Sequence, residues 1–220
     1  TPEIASPSVA LGMFMGIFTM FFTLYARPWK APDAKSRCFI GIGAFNLVRA
    51  EVYRAVGGHR RIALRPDDDI KLGKIIKDAG YSQEMLFGRG LMSVEWYPTL
   101  PALTRGLEKN SLAGVDYRVA AMIAGTLVQL VFFVWPFAAL SVTAGAALAL
   151  NAATCVALIA AYVMTAQMLG TPRWYAVGLP VMTALFVGIL WRATFITLRD
   201  GGITWRGTSY SLAALKANRV

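Results

Sequence analysis

VAAMIAGTLVQLVFFVWPFAALSVTAGAALALNAATCVALIAAYVMTAQMLGTP, residues 119–172, lies between Arg118 and Arg173 and holds no charged side chain over its 54 residues. A helix needs roughly 20 apolar residues to cross a bilayer core, so this run has room for two spans. Reading on gives a third, and the spans are set at 119–141, 145–167 and 175–197 within a membrane segment 118–198. The third contains Pro180, Gly188 and Arg192 and is the weakest of them. The Ala-rich patch 144–161 predicts close helix–helix approach.

Composition agrees. The chain has 220 residues, 56% hydrophobic and 15% charged, with a mean hydropathy of +0.52. A soluble domain carries about 25% charged residues. Disorder, a disulfide scaffold and a nucleic-acid-binding domain are therefore excluded as readings. The net charge is +10, and residues 27–118 hold 16 Lys/Arg against 10 Asp/Glu just before the spans. Basic residues beside a span mark the cytoplasmic side and attract anionic lipid; the partner is a membrane, with no nucleic acid. Cys38 and Cys155 fall in different halves, too few for a zinc site and poorly placed for a disulfide.

Before the spans, Val9 to Tyr25 is an apolar stretch at the lower edge of spanning length, followed by Arg27, Trp29 and Lys30. Residues 1–37 are read as an interfacial helix and a Pro-containing connector. The opening Thr1-Pro2-Glu3 lacks the basic start of a signal peptide, and the chain is expected to be the C-terminal portion of a longer protein. Cys38 to Val48 is β-branched, aromatic and broken by Gly, predicting a buried strand or loop. A short helix spans 50–56, stopped by Gly57-Gly58. Arg65-Pro66-Asp67-Asp68-Asp69 opens a helix of about 11 residues, with acids at its positive end and Gly80 closing it. Two short strands are expected in 81–97, an amphipathic helix from Leu100 to Asp116, and a polar basic tail over 199–220. Three spans would put that tail opposite residues 27–118, although its five Lys/Arg from 192 onward, against Asp200, argue for the same side.

Asp67-Asp68-Asp69 is the sharpest chemical feature. Adjacent carboxylates repel, which raises the pKa of one and suits it to act as a general base. The same acids also serve a helix N-terminus without any chemistry. Gly41-Ile-Gly43-Ala-Phe-Asn46, Gly57-Gly58-His59, Asp68-Asp69-Ile70-x-Leu72-Gly73 and, after the spans, Gly202-Ile203-x-Trp205-Arg206-Gly207 occur in this order. The ordered set resembles the C-terminal half of membrane-bound family 2 glycosyltransferases, in the branch that includes ceramide-glucosyltransferase-like and hopanoid- or carotenoid-associated enzymes.

The resemblance implies a fold class of α/β plus membrane helices: the C-terminal part of a GT-A type domain, its acceptor-side half at 38–117, then the transmembrane segment. It implies an inverting enzyme that moves a sugar from a nucleotide-sugar donor to a lipid or lipid-linked acceptor. A divalent metal, Mg or Mn, would be held by a D-x-D motif upstream of these residues. Asp69 would be the base and Asp68 its support. Asp67-x-Asp69 fits D-x-D in letters, but follows Arg65-Pro66 instead of an apolar strand. Lys109 and His59 would face the donor diphosphate or leaving group, although Lys109 stands where the family often has Q-x-x-R-W and lacks its Gln, Arg and Trp. Gly41, Gly43 and Asn46 would line the acceptor side, with Trp205 and Arg206 near the site from the tail. The expected location is a bacterial inner membrane, multi-pass, with the catalytic part cytoplasmic. The alternative is a non-enzymatic polytopic membrane protein, a transporter subunit or assembly factor. Against ion-coupled transport, the spans carry no acid.

Overall fold

The computed structural model describes residues 1–205 and 207–218. The described residues are mainly helical. Four helical segments are long and apolar enough to cross a membrane, and two small sheets accompany them.

Strand β1 (Glu3–Ala5) leads into helix α1 (Val9–Ala26), where the Ser8 side chain accepts the Leu11 N–H at 3.3 Å. α1 stops at Arg27, which adopts a left-handed φ of 48° and returns its N–H to the Thr23 carbonyl; Pro28 then blocks continuation. The expectation of an interfacial helix is revised in one respect: α1 does not lie free on a surface. Phe14 and Ile17 are fully buried among residues of the later apolar helices. Gly12 and Gly16, one turn apart, receive the rings of Tyr175 and Tyr162, and the Tyr162 hydroxyl donates to the Met13 carbonyl at 3.1 Å.

Residues 38–49 form no strand. Their polar backbone groups go elsewhere: the Ile40 N–H donates to Gln83 Oε1 at 3.1 Å and the Ile42 N–H to Asn46 Oδ1 at 2.9 Å. Helix α2 (Ala50–Ala55), a 3₁₀ turn (Gly58–Ile62) and helix α3 (Asp68–Asp78) follow. They share a small core of Val52, Val56, Ile62, Leu72, Ile75 and Ile76. α3 has the 11 residues its sequence predicts, and Gly80 ends it at φ +86°. The two strands expected in 81–97 reduce to β2 (Ser93–Glu95), which pairs in parallel with β1 across the expected boundary at residue 37.

Helix α4 (Leu100–Ser111) begins at Thr99, whose hydroxyl accepts the Ala102 N–H. Its buried Leu103 and Leu107 pack with Leu11, Phe14 and Met15 of α1 and with Ile189. The first apolar segment after Arg118 runs 119–139 as α5 (Val119–Gln129), a π-helical turn (Leu130–Val134) and α6 (Trp135–Ala139). The wide turn sits just ahead of Pro136, which lacks an N–H and crowds the preceding turn. Helix α7 (Gly145–Leu169) returns and ends at Gly170, φ +72°, where Arg89 donates to the Gln167 carbonyl at 3.3 Å. A 3₁₀ turn (Arg173–Gly178) leads to α8 (Leu179–Arg199).

α8 starts beside Ala166 and Tyr162 of α7. Farther along, Trp191 donates to Thr126 at 2.9 Å and Arg192 pairs with Glu108 at 2.8 Å. The tail beyond α8 is an antiparallel hairpin, β3 (Gly202–Trp205) with β4 (Thr208–Ser211), followed by α9 (Leu212–Ala217). Ile203 and Leu215 join Leu112, Ala113, Tyr117 and Met122 in one buried cluster. The tail therefore covers the entrance to α5, on the side of residues 112–118.

Candidate functional site

Three consecutive acids open α3, and a helix turns by about 100° per residue. Neighbours in sequence therefore face different surroundings. Asp67 turns inward to Arg65, which donates to both of its oxygens at 2.8 Å. Arg65 also donates to the Ala113 carbonyl at 3.1 Å and to Asp116 at 3.0 Å, and Lys71 reaches the same Asp116 oxygen at 3.0 Å. Arg65 and Asp67 are both buried. Burial alone would raise the Asp116 carboxyl, but the hydrogen bonds and charges of Lys71 and Arg65 outweigh it and hold it below the ordinary carboxylate value.

Asp68 and Asp69 face the other way, into a cleft of about 500 Å³. Gly43, Asn46, Tyr53, Arg54 and His59 also line it. Burial pushes the Asp69 carboxyl above its usual value; the Ile70 N–H opposes this, the Asp68 charge adds to it, and the Gly43 N–H opposes it again. Asp68 spends one oxygen on the Asp69 N–H at 3.0 Å. A Cβ at Gly43 would stand 2.8 Å from Asp69 Oδ2, so glycine lets the backbone approach the carboxyl this closely. Among the described residues Asp69 has no ion pair, and a partly desolvated carboxyl of this kind is a candidate proton acceptor.

The glycines position this arrangement. A Cβ at Gly41 would overlap the Asp69 carbonyl oxygen, and one at Gly73 would overlap the Ile40 carbonyl oxygen. Residues 40–43 thus cross the start of α3 backbone against backbone, which delivers Gly43 to Asp69. Across the cleft, Gly57 and Gly58 take φ of +79° and +54°. They fold His59 back onto Tyr53, whose hydroxyl lies 2.6 Å from His59 Nδ1.

Of the residues singled out in the sequence, Asp68, Asp69, His59, Gly43 and Asn46 meet in this cleft. Gly41 does not line it; its place is the backbone crossing. Lys109 and Trp205 meet each other instead, with the ammonium 4.9 Å from the ring centre, and neither lines the cleft. Arg206 lies outside the described residues. Tyr53 and Arg54 line the cleft without having been singled out; the double glycine that turns the chain back toward α2 was the available signal. Among the described residues no three His, Cys, Asp or Glu side chains converge as a metal site. Asp67 is committed to Arg65, so Asp68 and Asp69 do not make one alone.

No protein-family model matches this sequence, and neither the curated proteins nor the solved structures give a match.

Proposed function

We propose that the chain is the acceptor-side part of a membrane-bound inverting glycosyltransferase with a GT-A type catalytic domain, with Asp69 as general base. The observation that carries this reading is the meeting of Asp69, Asp68, His59, Asn46 and Gly43 in one cleft, with the Asp69 carboxyl raised by burial. In the proposed step an acceptor hydroxyl oxygen bonds to the anomeric carbon of a nucleotide-sugar. The bond from that carbon to the phosphate oxygen breaks on the opposite face, the nucleotide diphosphate leaves, and the hydroxyl proton passes to the Asp69 carboxylate. Asp68 orders the first turn of α3 through the Asp69 N–H. Arg54 supplies positive charge and His59 a hydrogen-bonding ring at the cleft wall, while Lys109 lies away from it. Four apolar segments tie the cleft to a bilayer, which suits a lipid or lipid-linked acceptor.

The reading is tested by donor-dependent transfer in the intact protein. Asp69→Asn should lose transfer while retaining nucleotide binding. Turnover close to wild type in that variant sinks the base assignment.

Several contacts support a topology with the tail on the side of the cleft. α5–α6 leaves residues 112–118, α7 returns to Arg89, and the tail packs beside Leu112 and Tyr117. α1 is also tied to the polar half at both ends: through β1–β2 at its start, and through a Tyr25–Gly114 hydrogen bond at its end. This favours one membrane hairpin, 119–169, with α1 and α8 packed across its base and the tail on the cytoplasmic side with the cleft. Maleimide labelling in sealed vesicles checks it, using single cysteines in a Cys38/Cys155-free background. Ser141→Cys should react from the side opposite to Ser82→Cys and Ser209→Cys. Opposite sides for residues 82 and 209 would restore three crossings.

A further inference from the structure

Behind the Asp69 cleft, on the other side of the 40–43 crossing, lies a second cavity of about 390 Å³. Arg27, Lys30 and Arg37 line it together with Ser36, Phe22 and Phe39; no acid does. Among the described residues none of these three cations has an ion pair. Three like charges around one cavity repel one another, and an anion bound between them removes that repulsion.

The surroundings say what carries the anion. The cavity opens where the apolar α1 ends. Leu24, Tyr25 and Trp29 stand outward there with 54%, 66% and 59% exposure, the aliphatic and aromatic surface that marks headgroup depth. The lining combines the aromatic rings of Phe22, Tyr25 and Phe39 with three cations, matching a phosphate with the start of a hydrocarbon chain beside it.

We infer that this cavity binds a phosphate group, supplied at the membrane by the headgroup of an anionic phospholipid. Nothing in this depends on the glycosyltransferase reading. It is a binding site separated from the Asp69 cleft by the thickness of one backbone.

The test uses the full 220-residue chain in neutral detergent. Dioctanoyl phosphatidylglycerol, dioctanoyl phosphatidylcholine and inorganic pyrophosphate are titrated, with Trp fluorescence and thermal midpoint as readouts. Phosphatidylglycerol should bind saturably and raise the midpoint, as any ligand of the folded state does; phosphatidylcholine should not. The triple variant Arg27→Gln/Lys30→Gln/Arg37→Gln should weaken that binding by tenfold or more. Arg60→Gln/Arg61→Gln/Arg105→Gln removes the same charge from exposed sites away from the cavity and should leave it unchanged. Equal loss in both triple variants would mean diffuse attraction to a basic protein and would overturn the site. Cavity-dependent binding of pyrophosphate without phosphatidylglycerol would keep the phosphate site and overturn its lipid source. Should the triple variant fail to fold, a photoactivatable phosphatidylglycerol on the wild-type chain decides. Crosslinks within residues 22–41 support the site, and their absence there overturns it.

Discussion

The two faces of α3 hold carboxylates two residues apart under opposite rules. On the inner face Asp67 is closed off, with Arg65, Asp116 and Lys71 satisfying one another in a compact network. On the outer face Asp69 is desolvated, has no ion pair among the described residues, and opens to a cleft. Burial alone therefore does not decide what an acid is for. In the proposed reading, a matched cation separates the structural carboxylate from the one assigned to proton transfer.

The contrast breaks most visibly at Asp69. Asp69→Asn should lower transfer about 10²–10⁴-fold with the thermal midpoint kept or raised, since a raised carboxyl is a cost to the ionised fold. A fall in midpoint would make Asp69 structural. Asp67→Ala should do the reverse. It leaves buried Arg65 without its bidentate partner, at a cost of about 3–5 kcal/mol, measured by denaturant unfolding in detergent.

pH separates the faces by sign. A folded-state pKa that is raised, as at Asp69, gives stability that is present below the ordinary carboxylate pKa and lost as pH climbs through the raised value. A depressed one, as at Asp116, gives stability present above the ordinary value and lost as pH falls through the depressed one. Thermal midpoints against pH should therefore lose their upper slope in Asp69→Asn and their acid slope in Asp116→Asn. Transfer should fall as pH drops through the raised Asp69 value. Asp116→Asn itself should cost only about 0–1 kcal/mol near neutrality, because its side chain is half exposed. The exposed Lys74–Asp78 pair, 2.7 Å apart at i,i+4, sets the floor; Asp78→Asn should change stability by about 0.3–0.5 kcal/mol.

The outward face was legible in the sequence because its grammar is local. Arg65-Pro66 before three acids and Gly80 after them bound α3, and the family resemblance grouped Gly41-x-Gly43 and Gly57-Gly58-His59 with those acids. The inward face was not legible. Arg65 and Asp116 are 51 residues apart, and no pattern within a helix window joins them. The same holds for β1 and β2, which begin at residues 3 and 93, and for Lys109, whose ring partner is Trp205. The apolar run between Arg118 and Arg173 announced its helices by length and composition, but the covering of α5 by the tail depends on Ile203 and Leu215 meeting Leu112 and Met122. Gly207, with φ +79° beside the hairpin turn, was the one local hint.

Gly12 and Gly16 give the molecule a fixed index. Two tyrosine rings occupy the notches they leave, and a Cβ at Gly12 would come within 2.5 Å of Tyr175. Turning α1 by one residue would replace a notch with a side chain, so the helix has one azimuth against α7, as a keyed shaft has in its hub. β1 is fixed to one end of that shaft. At the other, Lys77 of α3 grips the carbonyls of Ala31 and Asp33 at 2.6 and 2.8 Å. The orientation set inside the apolar bundle is thus handed, without slack, to the helix that bears Asp69.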